Sequence, residues 1–276
     1  MVIILGFTGI LGKLISLESI HLVWYRMGIA FISLALFLFI KKQLFSVNKK
    51  DFFELLGVGA LVTIHWLCFF KSIKVSSVSV AVVCMATSSL FTAIIEPLFF
   101  KRKLLKYEVI MGLIVVAALA FVMGAEKKYI LGYFYGIMAA FFGTLFTLFN
   151  AKYIKKIGAA QITMIEMLAG LIIISCLFLV QQDFTVFTSP ISITDCYYLI
   201  ILAVLCTAMV FVWMTEIMRY ISPYSLIMAI NLEPIYSILL ALLIFGDTEL
   251  MSYSFYIGSA IIIGIVILEG YLKNKQ

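Results

Sequence analysis

The chain is a succession of apolar runs, most of them long enough to cross a lipid bilayer, separated by breaks too short to fold alone. The runs fall at residues 2–16, 21–40, 52–70, 77–100, 107–124, 130–150, 161–180, 195–217, 224–245 and 253–271 of a 276-residue chain. A helical span uses about 20 residues, so ten of them leave room for loops and for no separate soluble domain. A water-soluble core does not account for the pattern. Apolar residues make up 64% and charged residues 12%, against about 45–50% and about 25% in a soluble domain. The bilayer must act as part of the solvent. These features predict an all-α polytopic membrane protein of about ten transmembrane helices. The first run is short, because fifteen residues rise about 22 Å against a hydrocarbon core of about 30 Å. Span one is therefore expected to be tilted or incomplete, or the natural protein to begin earlier. The opening MVIILGFTG lacks the basic stretch and cleavage site of a signal peptide.

Charge orients the spans. Loops 2–3, 4–5, 6–7 and 8–9 and the C-terminus carry fourteen cations: Lys41, Lys42, Lys49, Lys50, Lys101, Arg102, Lys103, Lys106, Lys152, Lys155, Lys156, Arg219, Lys273 and Lys275. The alternate loops carry four, Lys71, Lys74, Lys127 and Lys128. Cationic loops stay cytoplasmic, so both termini are expected in the cytoplasm, with the chain in the inner membrane if the source is bacterial. The net charge of +6 reads as this bias, favoured by anionic headgroups, and calls for no nucleic acid.

The two halves resemble each other. KSIKVSSVSVAVVCMATSSLF (71–91) aligns with EIMRYISPYSLIMAINLEPIY (216–236) at a constant shift of 145 residues, and Arg26 falls near Glu166 in a weaker match. Residues 1–125 and 126–276 are thus expected to form two five-helix repeats. An odd number of spans makes the second repeat enter the membrane from the opposite side, as in transporters built from inverted repeats.

Polar groups inside spans are costly and tend to face a bundle interior or a water-filled cavity. In span four, Ser77, Ala81, Cys84, Ser88, Thr92 and Glu96 share one face of a continuous helix. In span nine, Ala229, Glu233, Ser237 and Ala241 do the same. Such stripes either wall a cavity or let helices pack closely. Glu233 is the leading candidate for a substrate-contacting or proton-carrying carboxylate. Pro234 beside it denies the Ile230 carbonyl its helical donor and predicts a local break. Glu96 is either a gate residue or a partner of the basic residues after it. His65 suits a proton relay or polar contact, and Trp66 a cavity wall or the lipid interface. Lys71 either snorkels or attracts an anionic group. Arg26 and Glu166 each pair with a neighbouring helix or line an entrance, and Lys13 and Asn150 are further candidates at helix ends. The five cysteines have no metal-binding or disulfide spacing, and no cofactor or metal is expected. GYFYG (132–136) is a GxxxG motif that predicts close packing of span six and admits a homodimer.

Several segments resemble the drug/metabolite transporter superfamily, specifically its EamA-type members. They are GFTGILGKLIS, VWYRMGIAF, HWLCFFKSIKVSSVSVAVVCMATSSLFTAIIEPLFFKR, GTLFTLFNAKYI and NLEPIYSILLALLIFGDTEL. Asp247 stands where the family commonly has Glu, and Ser89 where many members have Pro. The resemblance implies ten helices around a central cavity, walled by spans one, three, four, six, eight and nine. It also implies alternating access and substrates such as amino acids, other metabolites or drugs, often exported. Nucleophile-elbow, zincin and Walker motifs are absent from the sequence, so a secondary transporter of a small molecule is expected rather than an enzyme. The competing expectation is a receptor, scaffold or lipid-handling protein without a polar cavity.

Overall fold

The computed structural model describes residues 1–43, 47–188 and 190–273; Lys275 lies outside them. The helices are α1 (Val2–Leu14), α2 (Ser19–Ile40), α3 (Lys49–Val75), α4 (Val78–Met85), α5 (Ser88–Phe100), α6 (Lys106–Ala125), α7 (Ile130–Tyr153), α8 (Ala159–Gln181), α9 (Thr185–Thr188), α10 (Ile193–Ala203), α11 (Val210–Ile217), α12 (Pro223–Ile230), α13 (Glu233–Phe245) and α14 (Tyr253–Lys273). A π-helical segment, Val204–Met209, joins α10 to α11. No strand occurs among the described residues. Among the described residues, eight helical stretches are long and apolar enough to cross a membrane, and Val2–Leu14 and Tyr253–Leu268 are shorter apolar helices. Side chains such as Ile32, Phe39, Leu98, Phe121 and Leu243 stay exposed on the bundle, as expected of surfaces that meet lipid rather than water.

Inside the bundle, α3 packs along α7 and α8, α2 along α8, and α6 along α14. Small residues set these approaches. A Cβ on Gly136 would lie 2.6 Å from Cys84 Cβ, and one on Gly132 would lie 2.3 Å from Ser76 Oγ. Within this chain the GxxxG motif therefore seats α7 against α4 and the turn before it.

Two spans are broken at matching places. The pair α4/α5 recurs as α12/α13, with Val78 and Pro223, Met85 and Ile230, Ser88 and Glu233, and Phe100 and Phe245 each separated by the same 145 residues. The starts match in chemistry as well. Ser77 accepts from the Val80 N–H and Ser222 from the Ser225 N–H, one N-cap in each repeat. The two broken helices cross, α4 against α13 and α12 against α5.

The break near Glu233 follows the proline logic. Pro234 sits in the first turn of α13, where a missing N–H costs nothing. The break at Ala86–Thr87 has no proline, and the sequence reading treated span four as one continuous helix. There Thr87 Oγ1 donates to the Cys84 carbonyl at 2.7 Å and Ser89 Oγ to that of Ala86 at 2.8 Å. These local hydroxyl bonds compete with the helical ladder. Pro97, by contrast, lies within an unbroken α5.

Candidate functional site

The two breaks meet in the middle of the bundle. Ser88 Oγ donates to Asn231 Oδ1 at 3.2 Å, and Asn231 Nδ2 reaches the Ala86 carbonyl, its own counterpart under the repeat, at 3.5 Å. Beside this junction lies a cavity of about 680 Å³, open mouth included, with walls from α1, α2, α3, α7 and α11 and from both broken helices.

One wall is aromatic. Phe146 and Phe211 stack at 5.8 Å, Trp66 meets Phe211 edge-on at 5.0 Å, and His65 stacks on Phe69 at 6.3 Å. Met85 and Met214 add adaptable apolar surface. His65 Nδ1 lies 2.7 Å from the Ala139 carbonyl. A carbonyl only accepts, so Nδ1 carries a proton, and in the neutral ring Nε2 is left as an acceptor.

The other wall is charged. Arg26 is 1% exposed, and its guanidinium lies 3.8 Å over the Trp66 ring. Its Nε donates to Thr207 Oγ1 at 2.6 Å, and Thr207 in turn donates to the Leu202 carbonyl, five residues earlier, at 2.7 Å. The π segment thus turns a hydroxyl toward Arg26, a use of local helix irregularity common at functional sites. Arg26 Nη1 is buried without a hydrogen-bond partner. Glu233 lines the same cavity. Among the described residues it forms no ion pair within 4 Å with Arg26.

Of the residues singled out from sequence, Arg26, His65, Trp66, Ser88 and Glu233 line this cavity together, and the rest lie elsewhere. Thr92 Oγ1 is turned back onto the Ser88 carbonyl at 2.6 Å, and Ser237 Oγ donates to Gly6 O of α1 at 3.2 Å. The proposed stripes are therefore not continuous cavity walls, because each helix loses its phase at the break and the residues beyond serve packing. Glu96 accepts from Arg102 Nε at 3.2 Å and from the Tyr224 N–H at 2.9 Å, at the lysine-rich end. Lys71 is exposed and lines a separate open hollow with Lys74, Glu18 and Tyr135. Glu166 and Asn150 are buried outside the cavity. The cavity also takes Thr8, Thr147, Met214 and Asn231, which the sequence reading missed. Only Asn231 had a signal, a lone amide in an apolar run three residues before Pro234.

Each end of the bundle is tied by a carboxylate on a helix N-terminus. At the lysine-rich end Glu96 of α5 serves α12. At the opposite end the buried carboxylate of Glu249, just beyond α13, accepts from the Val78 and Ser79 N–H groups of α4 at 2.9 and 3.1 Å. It also accepts from Ser79 Oγ at 2.8 Å and Lys13 Nζ at 2.7 Å. Ser16 and Asp195 fasten α1 to α10 nearby, with Oγ–Oδ2 at 2.5 Å. Glu249→Ala takes the acceptor from the Val78 and Ser79 N–H groups and from Ser79 Oγ, and removes a partly buried ion pair. It is expected to cost about 3 kcal/mol, read as a lowered melting temperature, with Glu249→Gln recovering part. An unchanged melting temperature would show that the latch contributes nothing.

The comparisons with known proteins agree with this architecture. No curated protein matches the chain. One solved structure, titled only "Crystal structure of protein", superposes on 100% of this chain and 96% of its own, with a TM-score of 0.74 at 12% identity, a likeness of fold alone. The model of the EamA-like transporter family matches residues 1–124 and again 130–270, one match for each repeat. The chain is a multi-pass membrane protein and belongs to the EamA-like transporter family.

Proposed function

We propose that the chain is a secondary transporter that crosses the cytoplasmic membrane ten times, with both termini in the cytoplasm, and moves a small compound by alternating access. Residues 1–125 and 126–276 act as two inverted repeats that rock about the crossed breaks, and the direction of flux is export. One observation carries the substrate class: a buried guanidinium with an unpartnered N–H and a carboxyl that is not its ion-pair partner share one cavity with an aromatic wall. A compound with a carboxylate for Arg26, an amine for Glu233 and an apolar body for Trp66, Phe146 and Phe211 satisfies all three. An amino acid with a sizeable side chain fits that description.

The test is flux in proteoliposomes over a panel of amino acids, with and without a proton gradient. Uptake of large apolar amino acids is expected to exceed that of glutamate or lysine. Glu233→Gln is expected to reduce it at least tenfold, about 1.4 kcal/mol of lost recognition. Folded protein with no flux for any amino acid would overturn the reading.

A further inference from the structure

A second group of polar side chains lies outside the cavity and is unexplained by the transport site. Glu166 of α8 is 0% exposed, and the Asn150 side chain of α7 is the one group set against its carboxyl, with no backbone N–H, hydroxyl or cation among the described residues hydrogen-bonded to it. Thr163, one turn earlier on the same face of α8, is 0% exposed, and its hydroxyl is unpartnered. Asn150 of α7 is 1% exposed and faces the Glu166 carboxyl, and its side-chain oxygen is unpartnered too. The spot is walled by α3. A Cβ on Gly59 would lie 2.8 Å from the Glu166 carbonyl oxygen, so the helices touch there. No lysine or arginine pairs with Glu166 among the described residues. Lys156, the nearest basic residue in sequence on this side, is bound to Asp51.

Buried polar groups in proteins find partners, and an orphaned set signals a bound ion or water. The set here is specific: four oxygens, supplied by one carboxyl, one amide and one hydroxyl, with the carboxyl the single acidic group. Water brings two donors and leaves the charge in the protein interior. A hard cation is satisfied by oxygens alone, and one carboxylate balances one positive charge. We infer that Asn150, Thr163 and Glu166 form a binding site for a small alkali-metal cation between α7 and α8. The site adjoins the cavity, since Thr147 lines it three residues before Asn150 on α7, a rise of about 4.5 Å. Use of the ion to drive flux rests on the transport reading; its binding does not.

The test reads stability, so it needs no substrate. Purified protein is melted in sodium, potassium and choline chloride at equal ionic strength and pH. Sodium or potassium is expected to raise the melting temperature over choline by at least about 3 °C, and the two arms identify the ion. Glu166→Gln and Thr163→Val are each expected to remove most of that rise, whereas Glu233→Gln keeps it. Equal melting in all three salts overturns the inference. So does a rise that survives both Glu166→Gln and Thr163→Val, or a melting temperature that follows pH alone, which would make Glu166 a proton carrier. If Glu166→Gln fails to fold, Thr163→Val and Asn150→Ala carry the same comparison.

Discussion

Arg26→Ala is expected to lower initial flux of a carboxylate-bearing substrate by about two orders of magnitude. The reasoning starts from the guanidinium. Its Cζ lies 3.8 Å from the Trp66 ring centroid and its Nε is fixed by Thr207, while Nη1 has no hydrogen-bond partner. A hydrogen bond to a charged group contributes about 1.5–3 kcal/mol, and 2.7 kcal/mol corresponds to about a hundredfold. The loss should appear as weakened apparent affinity as well as rate. Removing a buried cation that has no ion-pair partner also removes a desolvation cost, so the variant should still fold. Arg26→Lys keeps the charge and loses the planar stacking, and an intermediate flux is expected. Wild-type flux in Arg26→Ala, measured in proteoliposomes with matched protein content, would take Arg26 out of the site.

The largest effect on folding is expected from Gly59→Val. A Cβ at position 59 would lie 2.5 Å from Ala169 Cβ and 2.9 Å from Glu166 Cα. The obstacles are a short side chain and helix backbone, and neither moves aside without parting α3 from α8. Overpacking in a dense interior costs about 1–3 kcal/mol, and a β-branched side chain against backbone belongs at the upper limit or beyond. The internal control is Gly57, two residues earlier on α3, where an added Cβ meets nothing within 4 Å. Gly57→Ala is expected to be neutral or slightly stabilising, since alanine is the better helix former by about 1 kcal/mol. Melting temperatures of the two variants side by side decide the matter. Equal stability would mean that α3 and α8 do not approach as described.

Much of the architecture was legible in the sequence because the bilayer imposes a one-dimensional rule. Backbone groups in lipid must be satisfied within the segment, so span length and composition report helices almost directly. The residues 19–40, 106–125 and 193–217 needed no tertiary information. The shift of 145 residues was also visible, through Ser77 and Ser222, which turned out to be the matching N-caps of α4 and α12. The break at Pro234 followed from the missing proline N–H. The break at Ala86–Thr87 did not, because serine and threonine interrupt a helix only when their hydroxyls find carbonyls at the right turn.

The polar candidates divide on the same principle. Helix periodicity placed Ser88, Thr92 and Glu96 on one face, and only Ser88 reaches the cavity. Periodicity holds within a helix and is lost across a break. Arg26, His65 and Glu233 were recognised because an ionisable group inside a span is conspicuous whatever it touches. That Arg26 rests on Trp66, that a π segment supplies Thr207, and that Glu249 closes the far end were decided by tertiary structure alone. These facts are distances between helices, set by how small residues such as Gly59 and Gly136 let backbones approach. The sequence by itself determined which segments are apolar enough to enter a membrane and that the chain comes in two related halves. The tertiary structure decided which of their polar groups meet, because that depends on the depth and rotation of each helix against its neighbours, which hydropathy does not encode.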